Sequence, residues 1–83
     1  MGVGYVILKA RASAGLTQDE LARKIGSSQA AIARWEGGSQ MPSVRSLLKI
    51  ADATGFELAI GLHQPGESHS KFAVLETVSA LTR

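Results

Sequence analysis

Two short helix signatures joined by a glycine-containing turn constrain this chain more than any other feature. They occupy the stretch TQDELARKIGSSQAAIARW, from Thr17 to Trp35. Thr17 and Glu20 have the spacing of a capping box, in which the threonine hydroxyl accepts a hydrogen bond from the Glu20 amide and the glutamate carboxylate accepts one from the Thr17 amide. This pattern predicts that a helix begins at Thr17.

The residues that follow predict a turn and a second helix. Gly26 suits the left-handed conformation that ends a helix, and Ser27 or Ser28 can cap the next one. Ile32 and Trp35 then recur at helical spacing, which predicts one apolar stripe that faces inward. We therefore predict a helix-turn-helix in which Trp35 packs in the core rather than stacking on bases.

The same segment resembles the helix-turn-helix of the Cro-like and Xre-like phage-repressor family. The family's glutamine, alanine, glycine and two apolar residues are matched by Gln18, Ala22, Gly26, Ile32 and Trp35. The resemblance covers roughly residues 5 to 62. It implies a mainly α fold, a compact lambda-repressor-like bundle of four to five helices, with sequence-specific binding to double-stranded DNA.

The resemblance also implies which residues meet the bases. In the family, the positions that lie toward the major groove match Ser28, Gln29, Ala30 and Arg34. A glutamine at such a position can read adenine, and an arginine can read guanine. Arg34 could bind a phosphate instead. The methyl group of Ala30 can contact only a thymine methyl, so we expect weak readout at that base.

Contacts to the DNA backbone are expected on both sides of this second helix. The resemblance implies that Gln18 meets the backbone through its amide and its side chain. Ser27 in the turn is a further candidate phosphate contact. The loop of residues 37–41 would run along the sugar-phosphate chain, which makes Ser39 and Gln40 candidate phosphate donors.

A structural pair is also implied by the resemblance, because the family pairs the residues that match Arg11 and Glu36. A bidentate and partly desolvated pair of this kind would fix the angle between the first helix and the recognition helix. The alternative is two unrelated surface charges.

Charge is distributed unevenly along the chain. The net charge of the 83 residues is only +2, but residues 1–50 carry seven Lys and Arg against three Asp and Glu, a net charge of +4. This concentration around the helix-turn-helix favours an interface with phosphates. Ordinary solvated helix faces are the alternative explanation.

After the helix-turn-helix, Ser43 and Gly55 bracket a fourth helix, and the apolar period then changes from helical to alternating. A strand is predicted, with one apolar face that we expect to be a dimer interface, formed by Phe56, Leu58, Ile60 and Leu62. The predicted units are a DNA-binding bundle over residues 1–55, a dimerising strand over 56–63 and a tail over 64–83.

The C-terminal part leaves two questions open. We expect the strand to pair with its twofold copy in a second chain, with an internal hairpin to residues 72–78 as the alternative. In the tail, apolar residues recur every three positions, which favours a short helix, although FAVLETV also fits a second strand. The strand itself narrows the resemblance toward antitoxins of the HipB and HigA type.

The sequence predicts a cytoplasmic, dimeric repressor that binds a palindromic operator. An antitoxin that neutralises a toxin protein and represses its own operon is the alternative, and an interaction scaffold without DNA binding is less favoured. There is no cysteine, and the two histidines lack ligand partners at metal-binding spacing, so we expect no metal and no cofactor. No catalytic motif and no long apolar run occur, so we expect neither an enzyme nor a membrane protein.

Overall fold

A computed structural model describes residues 2–62 and 73–77. In these ranges four helices precede a two-stranded hairpin, in the order α1 (Val3–Ser13), α2 (Gln18–Ile25), α3 (Gln29–Gly37), α4 (Val44–Thr54), β1 (Ala59–Leu62) and β2 (Ala73–Thr77). The predicted mainly α-helical bundle with a C-terminal strand is confirmed. No helix within the described ranges exceeds 11 residues, so none of them could cross a membrane.

The boundaries of α2 and α3 follow from local chemistry. The predicted capping box is confirmed, with 3.0 Å from the Glu20 amide to Thr17 Oγ1 and 2.8 Å from the Thr17 amide to Glu20 Oε1. Gly26 ends α2 in the left-handed region at a φ of 70°. Ser28 then caps α3 by accepting a hydrogen bond from the Ala31 amide at 3.1 Å. Only Gly26, Ser27 and Ser28 lie between α2 and α3, so the two helices are joined by a short turn with a cap on each side.

The core lies where the four helices meet. Ile7, Leu21 and Ile32, one from each of the first three helices, are its most deeply buried large side chains. Trp35 is also buried, which confirms that its side chain belongs to the core. From α4, Leu48, Ile50 and Ala51 are buried, whereas Val44 at its first position is exposed.

A close approach between α1 and the end of α3 depends on Gly4. A Cβ atom at this position would lie 2.5 Å from the carbonyl oxygen of Glu36 and 2.6 Å from that of Trp35. Any residue larger than glycine would therefore push the two helices apart, since these obstacles are backbone atoms. Gly4 sets how near α1 lies to the recognition helix.

The C-terminal strands correct two predictions. The short helix that we favoured in the tail is wrong for Ala73–Thr77, because these residues form β2. β1 is also not a lone strand, because β2 pairs with it antiparallel within the same chain. An internal hairpin gives one edge of β1 its hydrogen-bond partners without a second chain. Residue 63, the last of the predicted strand, and the rest of the predicted tail, residues 64–72 and 78–83, lie outside the described residues.

The strand is also shorter and less regular than the alternating pattern predicts. β1 begins at Ala59 rather than at Phe56. The pairing shifts register between Ile60 and Gly61, because β2 contributes one extra residue there. Phe56 and Leu62 are both exposed. Phe56 and Leu58, two of the four predicted dimer-interface residues, therefore precede β1 rather than lying in it.

Candidate nucleic-acid interface

Helical periodicity divides α3 into a buried face and an exposed face. Ala31, Ile32 and Trp35 face the core. The four predicted base-reading positions, which comprise the N-cap and three residues of α3, are all exposed, namely Ser28, Gln29, Ala30 and Arg34. The side chains expected to read bases thus lie together on the surface of one helix.

Hydrogen bonds join the beginnings of α2 and α3. Gln29 Nε2 donates to Gln18 Oε1 at 2.7 Å. Gln18 Nε2 in turn donates to Glu36 Oε1 at 3.0 Å. A predicted phosphate contact, Gln18, therefore touches both a predicted base-reading residue and a residue expected to be structural. Sequence patterns did not indicate this link between Gln18 and Glu36.

Arg11 and Glu36, the expected structural pair, lie together in the structure. Arg11 Nε donates to Glu36 Oε2 at 2.6 Å, and Arg11 Nη2 donates to Glu36 Oε1 at 3.0 Å. The remaining Arg11 nitrogen, Nη1, donates to the Leu16 carbonyl at 2.9 Å. The side chain of Glu36 is 5% exposed and that of Arg11 is 17% exposed. This is a bidentate, largely desolvated pair that ties α1 to the end of α3.

The environment of the pair keeps Glu36 ionised. Burial has the largest single effect and raises the pKa of Glu36, but hydrogen bonds from Arg11 and Gln18 and the charge of Arg11 together outweigh it, so the pKa is lowered. The pKa of Arg11 is raised, chiefly by its hydrogen bond to Glu36. At neutral pH the carboxylate is therefore a pure hydrogen-bond acceptor.

Arg34 is oriented by the loop that follows α3. Its Nε donates to Gln40 Oε1 at 2.8 Å, so a predicted base-reading residue touches a predicted phosphate contact. The Ser39 hydroxyl donates to the Arg34 carbonyl at 3.4 Å, which holds the loop against the helix end. Within the described residues both Nη groups of Arg34 have no hydrogen-bond partner. They form the fork that an arginine presents to guanine or phosphate.

The remaining predicted contacts stand apart from these hydrogen bonds. The Ser28 hydroxyl oxygen is engaged by the helix cap, which leaves its O–H as a donor. Ser27 is half-buried, and its amide donates to the Ala22 carbonyl at 2.8 Å. Ala30 presents only a methyl group to solvent. Of these three residues, Ser28 has the most accessible polar group for DNA.

An apolar cleft, which the sequence analysis did not predict, lies away from α3. It has a volume of about 420 Å³ and lies between α1, α4 and residues 56–58. Its walls include Tyr5, Val6 and Phe56, all of which are exposed. Leu58, a predicted dimer-interface residue, also lines it. The exposed apolar residues at the start of α1 were the available signal for this cleft.

A capped two-helix unit that presents a polar face of α3 beside the N-terminus of α2 defines a helix-turn-helix module of the DNA-binding class. The sequence model of the helix-turn-helix family matches residues 7–60 of this chain. The chain belongs to this family, as the sequence resemblance predicted.

Individual relatives agree with this assignment. Endothelial differentiation-related factor 1 from Rattus norvegicus and that from Homo sapiens are each 45% identical over 56 residues, which is 68% of this chain and 38% of theirs. The chain thus spans well under half the length of these relatives. A solved structure of a SinR protein/SinI protein complex matches with a TM-score of 0.61 and 27% identity, over 65% of this chain and 53% of that one.

Proposed function

We propose that this protein is a DNA-binding regulator, namely a cytoplasmic, homodimeric repressor that occupies a pseudo-palindromic operator, with α3 of each protomer in a major groove. The single observation that carries the proposal is the exposed face of α3, where Gln29 and Arg34 each donate a hydrogen bond to a side chain of a neighbouring segment. Side chains held in this way enter the groove with less conformational freedom to lose.

The residues that flank α3 support contacts to DNA phosphates on both sides of it. Gln18 lies at the first position of α2, where the amide has no partner within the helix. Ser39 and Gln40 lie at the other end of α3 and are both exposed. We assign these three residues, with Ser27, to phosphate contacts, and the exposed positions of α3 to the bases.

Self-association is supported by the exposed apolar surface. Phe56 is 49% exposed and Leu62 is 69% exposed, and the apolar cleft adjoins Phe56. Contiguous apolar surface on a small domain marks an interaction site. Within the described residues the sheet has two strands, so β1 also has an edge that β2 does not fill. A twofold dimer through Phe56, Leu58, Ile60 and Leu62 would need its two α3 helices about 34 Å apart to enter successive major grooves.

An antitoxin is the second candidate function, and the same apolar surface supports it. A toxin protein could cover Phe56, Leu62 and the cleft as readily as a second copy of the chain. The solved neighbour is itself a complex of two different proteins. Both candidates would bind an operator as dimers, and they differ in whether the chain also binds a toxin protein, for which a toxin gene in the neighbouring open reading frame is the discriminating observation.

Selection of binding sites from random DNA tests the DNA part of the proposal. We expect an enriched palindromic sequence, and Gln29→Ala or Arg34→Ala should lose about 1 to 3 kcal/mol on that sequence but much less on random DNA at the same salt concentration. Lys49→Ala removes a positive charge from the exposed face of α4 and serves as the control. Failure to enrich any sequence would favour the scaffold reading.

Analytical ultracentrifugation tests the dimer. Leu62→Glu places a charge on a side chain that is 69% exposed, so the fold should persist while the dimer dissociates. Met41→Glu is a matched control, because Met41 is 70% exposed in the loop before α4. An intact chain that sediments as a monomer would overturn the dimer. A dimer that survives Leu62→Glu would move the interface away from β1.

A further inference from the structure

We infer that Glu36 is a positioning residue for base recognition, because it sets the direction of the hydrogen bonds that orient Gln29. The inference rests on the proposed function, since it concerns how α3 reads DNA. The Glu36 side chain is only 5% exposed, and it is bonded to Gln18 rather than to Gln29 itself. Its influence therefore has to pass through Gln18.

The starting point is a carboxylate that can only accept. Glu36 Oε1 receives hydrogen bonds from Arg11 Nη2 and Gln18 Nε2, both at 3.0 Å, and Glu36 Oε2 receives one from Arg11 Nε at 2.6 Å. An ionised carboxylate offers no donor. Arg11 holds the carboxylate in one orientation, since its planar fork engages both oxygens.

This carboxylate fixes the orientation of two amides in succession. The Gln18 amide has a donor end and an acceptor end, and only the donor end can face Glu36. Gln18 Oε1, an acceptor, must then face Gln29. Gln29 can pair with it only by donating from Nε2, and this bond is 2.7 Å long. Reversing either amide would set two acceptors or two donors against each other. We call this series of hydrogen bonds from Glu36 through Gln18 to Gln29 the amide chain.

The amide chain determines what Gln29 presents to a base pair. With one Nε2 hydrogen committed to Gln18, Gln29 is left with its carbonyl oxygen and a second N–H in a fixed order along the groove. Adenine presents the N7 acceptor and the N6 donor, also in a fixed order. A rigid Gln29 therefore favours one orientation of an A·T pair over its reversal, whereas a Gln29 free to flip would discriminate less.

Glu36→Gln is the variant that tests this inference. The glutamine keeps the shape of the side chain but adds a donor, which allows Gln18 and Gln29 to adopt the opposite orientation. We expect discrimination between A·T and T·A at the base pair read by Gln29 to fall roughly tenfold. Any effect of a reoriented Gln18 on its phosphate contact should weaken binding to the A·T and T·A sites equally, so it should not alter the ratio that measures discrimination. The base pair is identified beforehand as the one whose preference is lost in Gln29→Ala.

Two further variants separate positioning from stability. Arg11→Lys removes the bidentate fork and lowers stability, yet it leaves Glu36 as an acceptor, so discrimination at this base pair should persist. Gln18→Met interrupts the amide chain while leaving the bonds between Arg11 and Glu36 in place, so discrimination should be lost in a stable protein. Gln18→Met therefore keeps the inference testable even if Glu36→Gln does not fold.

A measurement without DNA completes the test. In the free protein, NMR should show one side-chain amide proton of Gln29 protected from exchange, and this protection should be lost in Gln18→Met. Unchanged discrimination in both Glu36→Gln and Gln18→Met would overturn the inference while leaving the proposed function intact. A parent protein that prefers no DNA sequence would overturn both. An unprotected Gln29 amide in the parent would overturn the amide chain alone.

Discussion

Removing Arg11 should destabilise the protein far more than the loss of a surface ion pair. Exposed pairs contribute at most about 1 kcal/mol, whereas removing one partner of a buried pair costs about 3 to 5 kcal/mol. Here Glu36 is 5% exposed and would keep only its hydrogen bond from Gln18. We expect a loss of about 2 to 4 kcal/mol for Arg11→Ala, toward the lower end of the range because the pair retains some solvent contact.

Removing Glu36 should lower the free energy of unfolding by less than removing Arg11. In Glu36→Ala the guanidinium keeps its bond to the Leu16 carbonyl at 2.9 Å, and the Arg11 side chain is 17% exposed, so water can reach it. We expect about 1 to 3 kcal/mol for this variant. The double variant should be less destabilised than the sum of the two single variants by about 1 to 2 kcal/mol, because it leaves no unpaired charge.

Urea unfolding of the four proteins measures this coupling. Asp19 and Arg23 provide a control pair with the same closest distance, 2.6 Å, but with exposed side chains at 59% and 75%. Their coupling should stay below about 0.5 kcal/mol. Free energies for Arg11 and Glu36 that add to within about 0.5 kcal/mol would refute the reasoning, because additivity means that the two charges do not sense each other.

The pair of Arg11 and Glu36 also predicts that the stability of the fold falls at low pH. The pKa of Glu36 in the folded protein is lowered from its ordinary value of 4.5. Its contribution to stability is therefore present above pH 4.5 and is lost as the pH falls through the lower folded pKa. In Arg11→Ala the pKa of Glu36 should rise, because burial then acts with less opposition. Urea midpoints at pH 6 and pH 3 should differ less in this variant than in the parent, and an equal difference would contradict the assignment.

Two further substitutions test the packing of α1 and the start of α2. Gly4→Ala should cost about 1 to 3 kcal/mol, because the new methyl group would overlap the carbonyls of Trp35 and Glu36. Gly2→Ala is the control, because its new methyl group meets no atom within 4 Å, and its melting temperature should be close to that of the parent. If Gly4→Ala melts at the same temperature as Gly2→Ala, α1 and the end of α3 are not in close contact at Gly4. Thr17→Ala should cost about 1 kcal/mol through loss of the cap, and an unchanged melting temperature would mean that the capping box contributes nothing.

The helices could be predicted from sequence because their boundaries are set by near neighbours. The capping box of Thr17 and Glu20 and the left-handed Gly26 involve residues within one turn of each other. Gly4 gave no such signal, because its role depends on where the carbonyls at the end of α3 lie. That position results from the packing of the whole bundle, and no local pattern encodes it.

The C-terminal part was harder to predict because a strand is defined by its partner. Alternation predicted a strand from Phe56, yet the ladder begins at Ala59, where β2 supplies the opposing backbone. Apolar residues that recur every three positions in the tail fit a helix and a strand almost equally well. The available edge of β1 favours the strand, and that edge is a property of the folded chain.

In the candidate site, too, some features follow from local sequence and others depend on the folded chain. Helical period alone places Gln29 and Arg34 on the exposed face of α3, because the opposite face is occupied by core residues. The contacts that orient them come from elsewhere, namely Gln18 at the start of α2 and Gln40 in the loop. Such contacts depend on how separate segments meet, so composition and spacing could not identify them.

These contacts link the stability of the bundle to what α3 presents. Glu36 accepts two hydrogen bonds from Arg11, which hold α1 against α3, and one from Gln18, which leads to Gln29. A substitution at Glu36 therefore acts on unfolding and on base preference through the same two oxygens. Arg34, by contrast, is held by Gln40 outside this series of bonds, so its orientation should not depend on Glu36. Base preference at the position read by Arg34 should consequently persist in Glu36→Gln, in the same protein in which preference at the position read by Gln29 is lost.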